Sequence, residues 1–182
     1  MRAAVALVSE RGTANVAVSD LAEAADVSRQ VLYQQFGDRD GLLLEAALDL
    51  ARRELIRDVV EPEHLTGRAP ALVVARFFAE HRAFYRAVLT SACGFALTRE
   101  LTGLIRPANR RVIEHAAGGR LDAQTADDLA LLLTGGAGAL INTWIVEGPE
   151  PLDPEEFTDR LIRVASTIVG ALGAHVVGSE HP

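Results

Sequence analysis

No acid falls between Asp26 and Asp38, and within that stretch stand Arg29, Gln30, Tyr33, Gln34 and Gln35. These side chains recognise hydrogen-bond patterns rather than break bonds. A glutamine amide can pair bidentately with adenine, and a guanidinium with O6 and N7 of guanine. A tyrosine hydroxyl suits a phosphate oxygen. Chemistry of the bond-breaking kind finds little support elsewhere. The chain has no lysine, so a Walker-A phosphate loop, a pyridoxal Schiff base and a catalytic lysine are excluded. Its single cysteine, Cys93, excludes an internal disulfide and a multi-cysteine zinc site, and fits a reducing cytoplasm. No nucleophile elbow, His-Glu-x-x-His pair or dinucleotide fingerprint is present. Glu61, Glu63 and His64 are close in sequence but lie in a breaker-rich stretch, where no metal site is expected. Neither an enzyme nor a cofactor is expected.

The elements that must carry the recognition residues are helical. The 182 residues include 30 Ala and 24 Leu, and apolar residues recur at helical rather than strand spacing from end to end. A first helix over 2–10 stops at Gly12. A second covers 19–25, capped by Ser19 or Asp20. A tight turn at Asp26 and Val27 leads to a third over 29–36, capped by Ser28 and stopped by Gly37. Ala22, Ala25, Val27, Leu32 and Phe36 are expected to fill the angle between the second and third helices. The outer face of the third then presents Arg29, Gln30, Val31, Tyr33, Gln34 and Gln35, as in a helix-turn-helix. Asp38 caps a fourth helix over 39–60. Further helices are expected over 70–91, 94–105, 107–117, 122–146 and 154–172, the second and third either separate or continuous with a kink at Pro107, and the last opened by Asp153, Pro154 and two acids.

The run from Ser19 to Leu43 closely resembles the DNA-binding signature of TetR-family transcriptional regulators. Leu32, Tyr33 and Phe36, followed by Arg39 and Leu42, are the most specific part, and Ala3 to Gly12 is similar to that family's first helix. The resemblance covers residues 2–50 and implies an all-α chain of two domains. Residues 1–47 would form a three-helix helix-turn-helix domain, and residues 48–182 a helical ligand-binding and dimerisation domain. It implies that Arg29, Gln30 and Gln34 face bases, and that Ser19 touches a base or phosphate. Val31 packs on a thymine methyl or lies by the backbone, while Tyr33, Gln35 and Arg39 hold phosphates. The chain departs from the family pattern at four places. Arg39 stands where Lys is usual, and either cation serves. Asp26 takes the turn position of a Gly, and tolerates left-handed backbone better than most residues. Ala17 replaces a capping Thr or Ser. The turn and basic arm that usually precede the first helix are not present, so a basic arm is expected to be missing from this sequence.

The same resemblance implies a ligand-responsive regulator, a repressor released from its operator by a small molecule. A homodimer would bind a pseudo-palindromic double-stranded operator in the cytoplasm. The alternative is a helical dimerisation module that acts as a co-regulator without touching DNA. Phe77, His81, Phe84, Tyr85, Leu101, Asn142 and Trp144 are the candidate effector-binding residues; His81 and Asn142 stand out because polar groups on apolar faces need partners. Residues 129–146 are uncharged and just long enough to span a membrane. They hold three glycines, Thr134, Asn142 and Thr143, with acids at both ends and no Arg anchor, so a buried interface helix is expected instead. With 157–172 it would form a four-helix dimer interface, Gly135, Gly136, Gly138 and Gly170 permitting close approach.

Charge constrains how DNA could be met. The net charge is −7, and residues 1–47 alone hold four Arg against seven acids. A positive field must therefore be local, from Arg29 and Arg39 with Arg2 and Arg11 nearby. Weak non-specific binding and a modest salt dependence follow, at about −0.9 in log–log slope per phosphate contact.

Overall fold

A computed structural model describes residues 1–56 and 67–177. Among them there is no strand, and the all-α class is as expected. The triplet Glu61, Glu63 and His64, expected to hold no metal, lies outside the described residues.

The first four helices form the N-terminal unit. In α1 (Arg2–Arg11) Ala4 and Val8, one turn apart, point into the core, and Gly12 closes the helix with φ 63° and its N–H on the Val8 carbonyl. The following loop buries Ala14 and Val16. Helix α2 (Val18–Ala24) begins one residue earlier than expected. Its N-cap is Ala17, which supplies no side-chain oxygen, so neither Ser19 nor Asp20 caps it. Helix α3 (Arg29–Phe36) starts on the Ser28 hydroxyl, which accepts from Val31 N–H. Helix α4 (Arg39–Ala51) starts on Asp38, whose carboxylate accepts from Gly41 N–H at 2.7 Å. Gly41 is required there, because a Cβ would lie 2.3 Å from the Phe36 carbonyl oxygen. Helix α4 buries Leu42, Leu43, Ala46, Ala47, Leu48, Leu50 and Ala51, which leaves it little solvent face. It passes through residue 47, the expected domain boundary, without a break, and its ladder widens into a π turn over Arg52–Ile56.

The remaining helices are α5 (Arg68–Glu80), α6 (Arg82–Leu89), α7 (Gly94–Ala117), α8 (Ala123–Glu147) and α9 (Pro154–Val177). The single helix expected over 70–91 is two, meeting at His81 with φ −97° and ψ 19°. The break lets α6 turn inward and touch α1, α4, α5, α7 and α8. Of the two alternatives at Pro107, the continuous helix is the one formed, with Pro107 inside it. Helices α7 and α8 make the most extensive pairing in the fold, and α9 packs along α5.

Three contacts tie α6, α8 and α9 together, and the first of them also joins the C-terminal helices to α4. The Tyr85 ring is fully buried, edge-on to Phe77, Phe78 and Phe84, and its hydroxyl donates to the Ala47 carbonyl at 2.8 Å. Burial pushes its phenol pKa well above the ordinary value, assisted by nearby Glu54, so it remains a donor. Arg82 is 9% exposed and donates to the Ile145, Gly148 and Pro149 carbonyls and to the Glu150 carboxylate, satisfying the end of α8. Trp144 stacks on Phe157 with centroids 4.2 Å apart, joining α8 to α9. At the surface Arg68 reaches Glu155 and Asp159, and Arg76 reaches Glu155, holding the Glu155 carboxyl below its usual range.

Tyr85→Phe keeps the ring packing and removes the donor, leaving the Ala47 carbonyl without that partner. Urea unfolding is expected to show a loss of about 1–2 kcal/mol.

Candidate DNA-reading surface and cavity

The turn between α2 and α3 sets the reading face. Val27 N–H bonds the Ala22 carbonyl at 3.0 Å and Asp26 N–H the Glu23 carbonyl at 3.1 Å. This closure needs a left-handed residue, and Asp26 supplies it with φ 53°, the one described non-glycine residue with positive φ. Of the residues expected to fill the angle, Ala22 and Leu32 are buried and Phe36 is half-buried. Ala25 and Val27 are exposed instead, lining an open crevice beside Leu21, Leu32 and Phe36.

Along α3, Arg29, Gln30, Val31, Tyr33, Gln34 and Gln35 are all exposed, with Leu32 the residue that anchors the helix. Tyr33 is 51% exposed and Val31 37%, high for side chains of their size and character. Ser19 is exposed near the start of α2 and donates to Asp20. Arg39 is more constrained than the other expected phosphate holders. Its guanidinium donates to the Asn15 side-chain oxygen at 2.9 Å and to Asp40 at 3.1 Å. Arg11 is likewise paired, with Asp20 at 2.5 Å, and this bond holds the Asp20 carboxyl below its ordinary range. Arg29 makes no such pair among the described residues, so it presents an uncompensated charge on the reading face. Sequence reasoning missed the Asn15 tether, because the contact spans 24 residues and Asn15 belongs to no periodic element.

A cavity of about 460 Å³ opens among α5, α7, α8 and α9. Leu101 and Asn142, two of the seven effector-binding candidates, line it. The other five candidates lie elsewhere. Phe77 of α5 and Phe84 and Tyr85 of α6 pack together in the core. His81 bonds Glu54 of the π turn at 3.0 Å. Trp144 is held on Phe157. An aromatic cluster on one helix is what a core wedge needs as much as a pocket does, and composition does not distinguish the two. The lining residues that sequence reasoning passed over are small or neutral, chiefly Thr98, Asn109 and Thr134. They were legible only as polar interruptions on otherwise apolar helices.

One face of α8 and one of α9 remain uncovered. Leu132, Gly135, Gly136, Ala139 and Thr143 are exposed at helical spacing, and a Cβ on either glycine would meet nothing. Val164 and Ile168 are exposed on α9. By length and composition α8 is also apolar enough to cross a membrane, though Thr134, Trp144 and Ile145 are buried on the side facing the rest of the chain. Cys93 is buried, with its sulfur 3.1 Å from the Ser91 hydroxyl. No cluster of metal-ligating side chains occurs among the described residues.

Residues 1–46 match the family described as bacterial regulatory proteins, tetR family. A comparison with curated proteins finds no match. Among solved structures, the chain is similar to the TetR family repressor AlkX from Dietzia sp. strain DQ12-45-1b, implicated in biodegradation of n-alkanes. The two share 26% identity, with a TM-score of 0.56 over 92% of this chain and 94% of that one. It is also similar to the TetR family transcriptional regulator PfmR from Thermus thermophilus, at 25% identity and a TM-score of 0.52, over 88% of this chain and 94% of that one.

Asp26 holds a backbone conformation that glycine adopts freely. Asp26→Gly is expected to stabilise the protein by about 0.5–1 kcal/mol, and Asp26→Val to destabilise it by about 1–2 kcal/mol, in thermal unfolding. If both variants lower stability equally, the turn is not the source of strain.

Proposed function

We propose that this chain, a TetR-family transcriptional regulator whose first 46 residues carry the family's DNA-binding unit, is a ligand-responsive repressor that works as a homodimer. The observation that carries the proposal is the exposed, acid-free face of α3, with Arg29 free of any described carboxylate and Gln30 and Gln34 beside it. Arg29, Gln30 and Gln34 read bases, and Val31 packs against a thymine methyl or the adjoining backbone. Tyr33 and Gln35 hold phosphates, as do Ser19 at the preceding helix and Arg39, steadied by Asn15. The N-terminus of α4 adds backbone N–H groups and a favourable dipole for one more phosphate.

The uncovered faces of α8 and α9 support a two-fold pairing of copies, which puts two α3 helices about one turn of DNA apart on a pseudo-palindrome. The cavity among α5, α7, α8 and α9 is the effector site. An effector that binds better to a conformer with the wrong separation of α3 helices lowers operator affinity by that differential alone. Such a protein acts inside the cell, where its operator is. The division into residues 1–47 and 48–182 then describes labour rather than packing, because α4 belongs to both.

Selection from a random-sequence duplex pool tests this reading. The expected outcome is a pseudo-palindrome with half-sites about one helical turn apart. Gln34→Ala should relax preference at a single symmetric position by about 1–3 kcal/mol, and Tyr33→Phe should weaken all sequences alike. Failure to enrich any sequence, or a uniform loss with Gln34→Ala, contradicts it.

A further inference from the structure

The cavity carries chemistry specific enough to name a class of ligand, an inference that rests on its being the effector site. Among the described residues, no Asp, Glu, Arg or His lines it. A carboxylate or ammonium entering would lose its hydration without gaining a counter-charge. An apolar body would gain from burial against Leu101, Ile105 and Ile141.

Ser166 of α9, itself exposed, adds one hydroxyl to the lining, and the remaining polar side chains gather at two stations on α7 and α8. At one, Thr98 donates its hydroxyl to the Gly94 carbonyl at 3.0 Å, so toward Asn142 it can only accept. Asn142 therefore turns its NH₂ to Thr98, at 3.1 Å, and its amide oxygen away. At the other, Thr134 donates to the Ala130 carbonyl at 2.6 Å and accepts from the Asn109 NH₂ at 2.8 Å. The two threonines thus fix the orientation of both amides. Each asparagine is left with an amide oxygen and one N–H that bond no described residue. An acceptor beside a donor is the complement of a hydroxyl, or of a primary amide. Thr102 donates its hydroxyl to the Thr98 carbonyl, so it offers the cavity an acceptor and no donor.

The stations are far apart. From Thr98 to Asn109 is eleven residues of α7 and from Thr134 to Asn142 eight of α8. At about 1.5 Å per residue these separations are roughly 16 and 12 Å. The wall between them is apolar, from Leu101 and Ile105 on α7 and Ala137 and Ile141 on α8. We infer that the cavity binds an uncharged, elongated apolar molecule bearing a hydroxyl or amide at each end, one on Asn142 and the other on Asn109.

Four ten-carbon probes test this in calorimetric titrations of the full chain: 1,10-decanediol, 1-decanol, decanoate and decylammonium. The diol should bind about 3–10-fold more tightly than the mono-alcohol, the ratio expected of one added hydrogen bond. Both ions should bind at least about tenfold more weakly than the diol. Asn142→Leu and Asn109→Leu should each reduce the diol to the affinity of the mono-alcohol, while the mono-alcohol, free to use the remaining station, changes little. The comparison of probes on the unaltered protein stands even if a variant folds poorly. Equal binding of diol and mono-alcohol, binding of either ion as tight as the diol, or no binding by any probe overturns the inference. Diol binding that leaves operator affinity unchanged instead contradicts the effector role and leaves the ligand class intact.

Discussion

The fold turns on one short helix. Residues Arg82–Leu89 are inserted between the N-terminal helices and the long C-terminal ones, and the first turn of the insertion is hydrogen-bonded to both sides. On one side Tyr85 donates to the Ala47 carbonyl of α4; on the other Arg82 collects the carbonyls that finish α8. A buried phenol and a nearly buried guanidinium are costly to leave unsatisfied, so α6 has little freedom to slide against either neighbour. The helix also closes over Val8 of α1 through the shared core. Whatever moves α8 therefore meets α4 and α1 through side chains that are already committed on both sides.

That constraint bears on how a cavity could speak to a reading face. The cavity wall includes α8 residues one and two turns before the carbonyls that Arg82 holds. A molecule seated on Asn142 lies close in sequence to that anchorage. A second link runs from α5 through His81 to Glu54 in the π turn that continues α4. π turns commonly occur where a helix must accommodate an outside contact. Here it follows the carbonyl that Tyr85 engages by less than two turns. In the proposed regulator these two links are the candidates for coupling, and both converge on α4, whose first turn supports α3.

Much of the reading head is legible in sequence because its determinants are local. Ser28 and Asp38 are caps within three residues of what they cap, Gly12 ends α1, and Asp26 takes the left-handed turn. The exposed set on α3 follows from Leu32 being the buried position. Where a determinant is distant in sequence, the expectation goes astray. The break at His81 has no glycine or proline to mark it; it exists because α6 must dive under α5 to reach Ala47. At Pro107 the local signal leaves a break and a continuous helix both open, and the extensive pairing of α7 with α8 accompanies the continuous one. The aromatic residues expected around a ligand instead build the wedge. The cavity is lined by threonines and asparagines whose meaning appears only once α7 and α8 are laid antiparallel.

Helix α6 belongs to the N-terminal unit and the C-terminal bundle at once. Native-state amide hydrogen exchange tests this dual membership most directly. If it holds, the amides of α6 open together with the buried turns of α1 and α4, at a single free energy. Opening of α1 through α4 at lower free energy, with α6 still protected alongside α7 and α8, would show that the wedge does not join the halves.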